Sequence, residues 1–164
     1  VHARTKAHGY RPPAYWERVR EVRDAVTIPV IANGEIWNVA DALRCREVTG
    51  CDTLMIGRGM VRNPGLALAI VAADRAAQGL VPGAGGIAWA DLLPLMTDFW
   101  RLVATHVEPR HRSGRLKQWL NYLRRHYAEA EQAFTELRLT NDPAGITAWL
   151  AAQRADANAP ALHP

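Results

Sequence analysis

Up to about residue 80, short apolar runs alternate with segments whose apolar positions recur at helical spacing; beyond residue 88 only the helical spacing remains. Val1–Arg4 reads as the end of a strand, and residues 6–13 as a loop broken by Gly9, Pro12 and Pro13. Trp16, Val19, Val22 and Val26 predict a helix over 14–25. Ile28–Ala32 is wholly apolar, the pattern of a parallel strand covered on both faces, with Pro29 tolerable only near its start. Asn38 suits the N-cap of a helix running to about Val48, and Thr53–Ile56 the next strand. Asn63 as N-cap with Pro64 at the first helical position opens a further helix.

Strand and helix in strict alternation imply a parallel sheet with right-handed crossovers. A complete (β/α)₈ barrel takes about 250 residues, so only its last third could fit here. The expected fold class is therefore α/β: residues 1–78 as the C-terminal part of a TIM barrel, followed by a small all-α bundle. Residues 79–90 form a linker, because Gly79, Pro82, Gly83, Gly85 and Gly86 cannot sustain a helix. Residues 91–154 carry the bundle. Its stripes are Leu92, Met96, Phe99 and Val103, then Leu116, Trp119, Leu120, Leu123 and Tyr127, then Phe134 and Leu137. Asp142-Pro143 starts a last helix with Ile146, Trp149 and Leu150 inward. The tail 155–164 is expected to be disordered. The chain opens on Val1 as if inside a strand, which suggests the C-terminal part of something longer.

Composition changes this picture little, and charge changes it more. With 49% apolar and 22% charged residues the chain is ordinary globular protein, and no apolar run is long enough for a membrane span. Cys45 and Cys51 suit a reducing, cytoplasmic setting and propose no disulfide framework. The net charge of +4 concentrates in residues 110–126, which hold Arg110, Arg112, Arg115, Lys117, Arg124 and Arg125 and no acid. On a helical wheel the leucines of this segment face inward, leaving a cationic arc with Tyr122 at its edge. Cations neutralise phosphates and aromatic rings stack on exposed bases, so this face suits a nucleic acid. His106, His111 and His126 lack metal-ligand spacing, and no metal is expected.

Three predicted strands end in chemistry: His2-Ala3-Arg4, Asn33-Gly34-Glu35 and Gly57-Arg58-Gly59. In parallel α/β folds, ligands bind at the carboxyl ends of the strands, and barrels often hold phosphate after their last two. Glycine lets the backbone approach a ligand, and an arginine fork matches a phosphate. Two such loops one β-α unit apart point to a phosphate cradle.

The segments HART…GYR, IPVIANGEIW, GCDTLMIGRGMVRNP and RLKQWLNYLRRHY, in this order, resemble the tRNA-dihydrouridine synthases, most closely the C-type bacterial subfamily. The resemblance implies an FMN-binding barrel with a C-terminal helical bundle that grips tRNA. It also implies NADPH as the reductant of the flavin, hydride transfer to C6 of a flipped-out uracil, and protonation of C5 by a cysteine. The subfamily acts on uridine 16 of the D-loop. The positions matching the family's FMN contacts are His2, Asn33, Gly34, Glu35, Gly57 and Arg58. Those matching its tRNA-contacting signature are Tyr10, Arg11, Arg115, Lys117, Tyr122 and Arg138. The catalytic cysteine of the family lies on an earlier strand; neither Cys45 nor Cys51 stands in its place, and Ala3 replaces a commoner glycine. A monomer with tRNA as its partner, and no membrane, is the expectation. The alternatives are a non-catalytic RNA-binding module and a TIM-barrel flavin oxidoreductase acting on a small molecule.

Overall fold

The computed structural model describes residues 1–9 and 11–158. It divides into two compact units, Val1–Gly86 and Ile87–Pro164, each with its own core.

The first unit is an α/β arrangement. It contains α1 (Trp16–Asp24), β1 (Ala32–Asn33), α2 (Val39–Thr49), β2 (Leu54–Met55), α3 (Arg58–Arg62) and α4 (Leu66–Ala77). β1 and β2 pair in parallel with Ala32 opposite Leu54, and His2 bridges in parallel to Asn33 on the other side. The order across the ladder is thus the order along the chain, as consecutive right-handed β-α-β units require. The regular ladder is shorter than Ile28–Ala32 suggested. Pro29 has no N–H to give, and Ile28 and Ile31 are 71% and 47% exposed rather than covered. α2 begins where Asn38 places it, its side chain accepting from the Asp41 N–H at 2.8 Å. The helix foreseen at Pro64 begins instead at Leu66: Asn63 Oδ1 accepts from the Gly65 N–H at 3.0 Å, spending the cap on a turn. The residues between hold α3, a five-residue helix that opens at Arg58. Val19, Ala32, Ala42, Cys45, Leu66 and Ile70 make the core beneath the strand ends.

The second unit is all helix: α5 (Trp89–His106), α6 (Pro109–Leu123), α7 (Ala128–Leu137) and α8 (Pro143–Asn158). α5 starts at Trp89, within the expected linker. The leucine stripe is buried as its spacing predicts, with Leu116, Leu120 and Leu123 fully inaccessible. Each such side chain contributes about 1.5–3 kcal/mol of burial. Trp100 is buried and gives its indole N–H to Thr147 at 2.9 Å; Trp119 meets Phe99 edge-on at 4.9 Å. α8 begins at Pro143, where the Asp142 carboxylate accepts from the Ala144 and Gly145 N–H groups at 3.1 and 2.6 Å. It continues through Ala155–Asn158, where a disordered tail was expected, because this alanine-rich run favours helix. The rest of that tail, 159–164, and Tyr10 lie outside the described residues.

Candidate functional site

The carboxyl ends of the three parallel segments meet at a small open recess lined by His2, Asn33–Trp37 and Met55–Gly59. Both motifs predicted to form a cradle therefore face one space. Backbone conformation explains their glycines. Gly34 sits at φ 129°, out of reach of most side chains, with its missing Cβ pointing at Ala3. Gly59 passes so close to the Ile36 carbonyl that an added Cβ would lie 2.1 Å from that oxygen. Gly57 differs: an added Cβ would meet nothing within 4 Å, so its face is open. Asn33 is fixed by its own amide, which donates to the Met55 carbonyl across the ladder at 2.6 Å.

The charges are arranged around Glu35. This residue holds a positive φ of 53°, uncommon for any side chain other than glycine, asparagine or aspartate. Its carboxylate accepts from the Trp37 indole at 2.8 Å and from Arg58 Nη2 at 3.0 Å, and it pairs with Arg4 Nη2. Burial pushes the carboxyl pKa up. The Trp37 and Arg4 hydrogen bonds and the charges of Arg4 and Arg58 outweigh that and hold it below the ordinary range. Arg58 also lies over the Trp37 ring, 5.2 Å from its centroid. Trp16 ties the loop down from below, its indole donating to the Gly34 carbonyl at 2.9 Å. His2 is exposed at the rim, its Nδ1 within 3.2 Å of the Arg4 N–H.

Arg4, Trp16 and Trp37 received no role from sequence. Arg4 ended the His2-Ala3-Arg4 segment and Trp37 stood in the quoted IPVIANGEIW run; the Arg4–Glu35 and Trp37–Arg58 contacts join residues far apart in the chain, whereas the Trp37–Glu35 bond spans only two positions. Neither cysteine lines the recess. Cys45 and Cys51 are buried, and burial first, then the neighbouring Cys51, pushes the Cys45 thiol up to about 11. Among the described residues no three His, Cys, Asp or Glu side chains gather as metal ligands, and no helix is long and apolar enough to cross a membrane.

In the helical unit the basic residues divide by what they hold. Arg112 donates to the Val107 carbonyl at 2.8 Å. Arg124 reaches Glu131 at 3.2 Å and covers Phe134, its guanidinium carbon 4.7 Å from the ring centroid. Lys117 donates to the Arg138 carbonyl at 3.0 Å and to Asn141 Oδ1 at 2.8 Å, bracing the turn between α7 and α8 against α6. That turn carries Arg138, which is exposed, as are Arg115 and, in the first unit, Arg11; Tyr122 is half-buried. Lys117 thus brings Arg138 to the acid-free helix that bears Arg115.

The first unit thus gathers its motif residues at the ends of parallel strands, and in the second unit α6 carries the acid-free basic face. The chain matches the dihydrouridine synthase (Dus) family over residues 1–141, and it belongs to that family. It is 51% identical over 150 residues to the tRNA-dihydrouridine(16) synthase of Pseudomonas putida, an alignment covering 92% of this chain and 45% of the relative. Identity to the Shewanella oneidensis protein of the same name is 48%, over 85% of this chain and 41% of that one. For the Escherichia coli O157:H7 protein it is 36%, over 89% and 43%. The chain spans a little under half the length of these curated relatives.

Proposed function

We propose that this chain is the C-terminal part of an FMN-dependent tRNA-dihydrouridine synthase, which reduces uridine to 5,6-dihydrouridine in the D-loop of tRNA, at position 16, with NADPH as reductant. The observation that carries this reading is the meeting of Asn33-Gly34-Glu35 and Gly57-Arg58-Gly59 at one recess on adjacent parallel strand ends. The relatives' names supply the substrate. The barrel part of the reading draws on the sequential parallel strands. It also explains the exposed Ile28, Ile31 and Met55, apolar side chains that further strands of a barrel would cover.

The residues present fit a phosphate-bearing group. Gly57 leaves open space in front of its backbone, and Arg58 stands at the rim with a guanidinium fork. Bound there, FMN would supply the hydride for C6 of the uracil. Gly57 and Arg58 would hold the phosphate end; Asn33, Gly34, Glu35 and His2 would line the approach. The proton for C5 is assigned to a cysteine outside this chain, since Cys45 and Cys51 are buried away from the recess. A uracil in folded RNA reaches a flavin only when flipped from its stack, which requires the enzyme to grip the surrounding RNA. Arg115, Lys117, Tyr122 and Arg138 would supply that grip from the helical unit, with Tyr10 and Arg11 as further contacts.

Arg58→Ala in the full-length protein tests the cradle. Loss of a charge-assisted contact of about 1.5–3 kcal/mol should weaken FMN binding by roughly 10- to 150-fold and lower dihydrouridine formation. Flavin content equal to wild type after dialysis would remove Arg58 from the phosphate site.

A further inference from the structure

We propose that Trp16 is a positioning residue for the phosphate cradle: its indole N–H holds the Gly34–Glu35 peptide in the orientation that offers the Glu35 N–H to a phosphate oxygen. The proposal rests on the cradle reading above and concerns a residue that does not line the recess.

Trp16 opens α1, half-buried and packed against the core of its unit. Its Nε1 donates to the Gly34 carbonyl at 2.9 Å. Gly34 and Glu35 line the recess and Trp16 does not. The peptide that joins them is trans, so its C=O and N–H point to opposite sides of one plane. Tying the Gly34 carbonyl to Trp16 therefore turns the Glu35 N–H the other way. Among the described residues that N–H donates to no other group, and the indole bond is the one hydrogen bond of this peptide unit. A backbone N–H directed at an anionic oxygen makes a charge-assisted bond.

The local backbone resists this orientation. Glu35 sits at φ 53°, where its Cβ crowds the following carbonyl. Rotating the peptide plane by about 180° would carry Glu35 into the ordinary extended region, and Gly34 tolerates the accompanying change in ψ. The rotated unit would present a carbonyl oxygen where the N–H stood, an acceptor facing an anion. Selection of the strained orientation has to come from outside the loop, and the indole supplies it. Rotation breaks that bond and leaves the carbonyl of Gly34, a buried residue, without its partner. The contacts of Glu35 to Trp37 and Arg58 are made by its carboxylate and not by this peptide.

A merely structural role would affect any flavin alike, whereas a role in orienting a phosphate donor acts on the phosphate alone. The test uses the full-length protein and two probes, FMN and riboflavin, which lacks the phosphate. Wild type should bind FMN more tightly than riboflavin. Trp16→Phe keeps an aromatic ring against the core and removes the N–H. It should weaken FMN binding by about tenfold and riboflavin binding by less than about twofold. The readout is the two dissociation constants by flavin fluorescence, with apo-protein melting temperatures followed in parallel. Should Trp16→Phe not fold, Trp16 is replaced by its benzothienyl analogue, which puts sulfur in place of the N–H at nearly unchanged shape. An equal loss for the two flavins, or none for either, overturns the proposal while leaving the cradle intact. Equal wild-type affinity for FMN and riboflavin overturns the cradle and this proposal with it.

Discussion

Gly59→Ala isolates the tightest contact of the recess. The new methyl carbon would sit 2.1 Å from the Ile36 carbonyl oxygen and 3.1 Å from Ile56 Cγ2 and Leu66 Cδ2. A carbon and a carbonyl oxygen normally approach to about 3.3–3.6 Å, so the shortfall exceeds roughly 1 Å. Rotamer changes can relieve the two side-chain contacts. They cannot relieve the first, because Ile36 is buried and its backbone continues the strained Glu35 turn. The top of the usual overpacking range, about 3 kcal/mol, applies. Alanine returns about 1 kcal/mol inside a helix such as α3, leaving a net loss of about 2 kcal/mol. Relief by moving α3 would also displace Arg58, the residue before. Urea unfolding of the full-length protein, followed by a probe local to this unit, measures the loss, and FMN titration measures the displacement. Gly57→Ala is the control: with open space at its Cβ it should leave stability within about 0.5 kcal/mol and act on FMN affinity instead. Gly59→Ala at wild-type stability and wild-type flavin affinity would refute the close-approach argument.

Three further outcomes follow from the geometry. Lys117→Ala loses two hydrogen bonds to the α7–α8 turn and should cost about 1–2 kcal/mol of bundle stability. If its third donor meets the RNA, the salt dependence of tRNA binding also flattens by about 0.7–0.9 in log–log slope; a lower melting point with an unchanged slope makes it a brace alone. The buried Cys45, its thiol pushed up to about 11, should resist alkylation at pH 7 in the native protein and react on unfolding, while rapid labelling of folded protein would contradict that burial. Glu35 is held below its ordinary range, so its pairing stabilises the protein above about pH 4.3 and is lost as pH falls through the lower native value. The stability gap between wild type and Glu35→Gln should therefore be flat above that pH and close on acidification; a gap that widens in acid contradicts the assignment.

What was legible in the sequence was what depends on neighbours along the chain. Asn38 and Asp142 cap the helices they precede, since a cap needs only its own first turn. The Leu116, Leu120 and Leu123 stripe faces inward because period and burial agree. The two loops that line the recess were picked out from their glycines and their place at strand ends. Less legible was whatever depends on distant partners. The ladder at Ile28–Ala32 shortened because pairing, not hydrophobicity, defines a strand. α3 went unforeseen because Arg58-Gly59-Met60 carries no helical pattern, and tertiary packing under Ile36 shapes that turn. The Arg4–Glu35 pair and the Lys117 brace join residues 31 and 24 apart in number, beyond any local signal. The basic face of α6 illustrates the limit differently: the charge excess was visible, but which cations are spent inside the bundle was not.

The Trp37 indole gives the recess an optical consequence. Its N–H is bonded to Glu35 and its ring lies beneath Arg58, so both charges of the cradle act on one chromophore. Indole emission shifts with nearby charge because the excited state is more polar than the ground state. Neutralising Glu35, or drawing Arg58 toward a phosphate, should therefore register in the colour of Trp37 fluorescence. Trp37 is thus a built-in reporter of charge in the recess, readable against a Trp37→Phe blank without labelling.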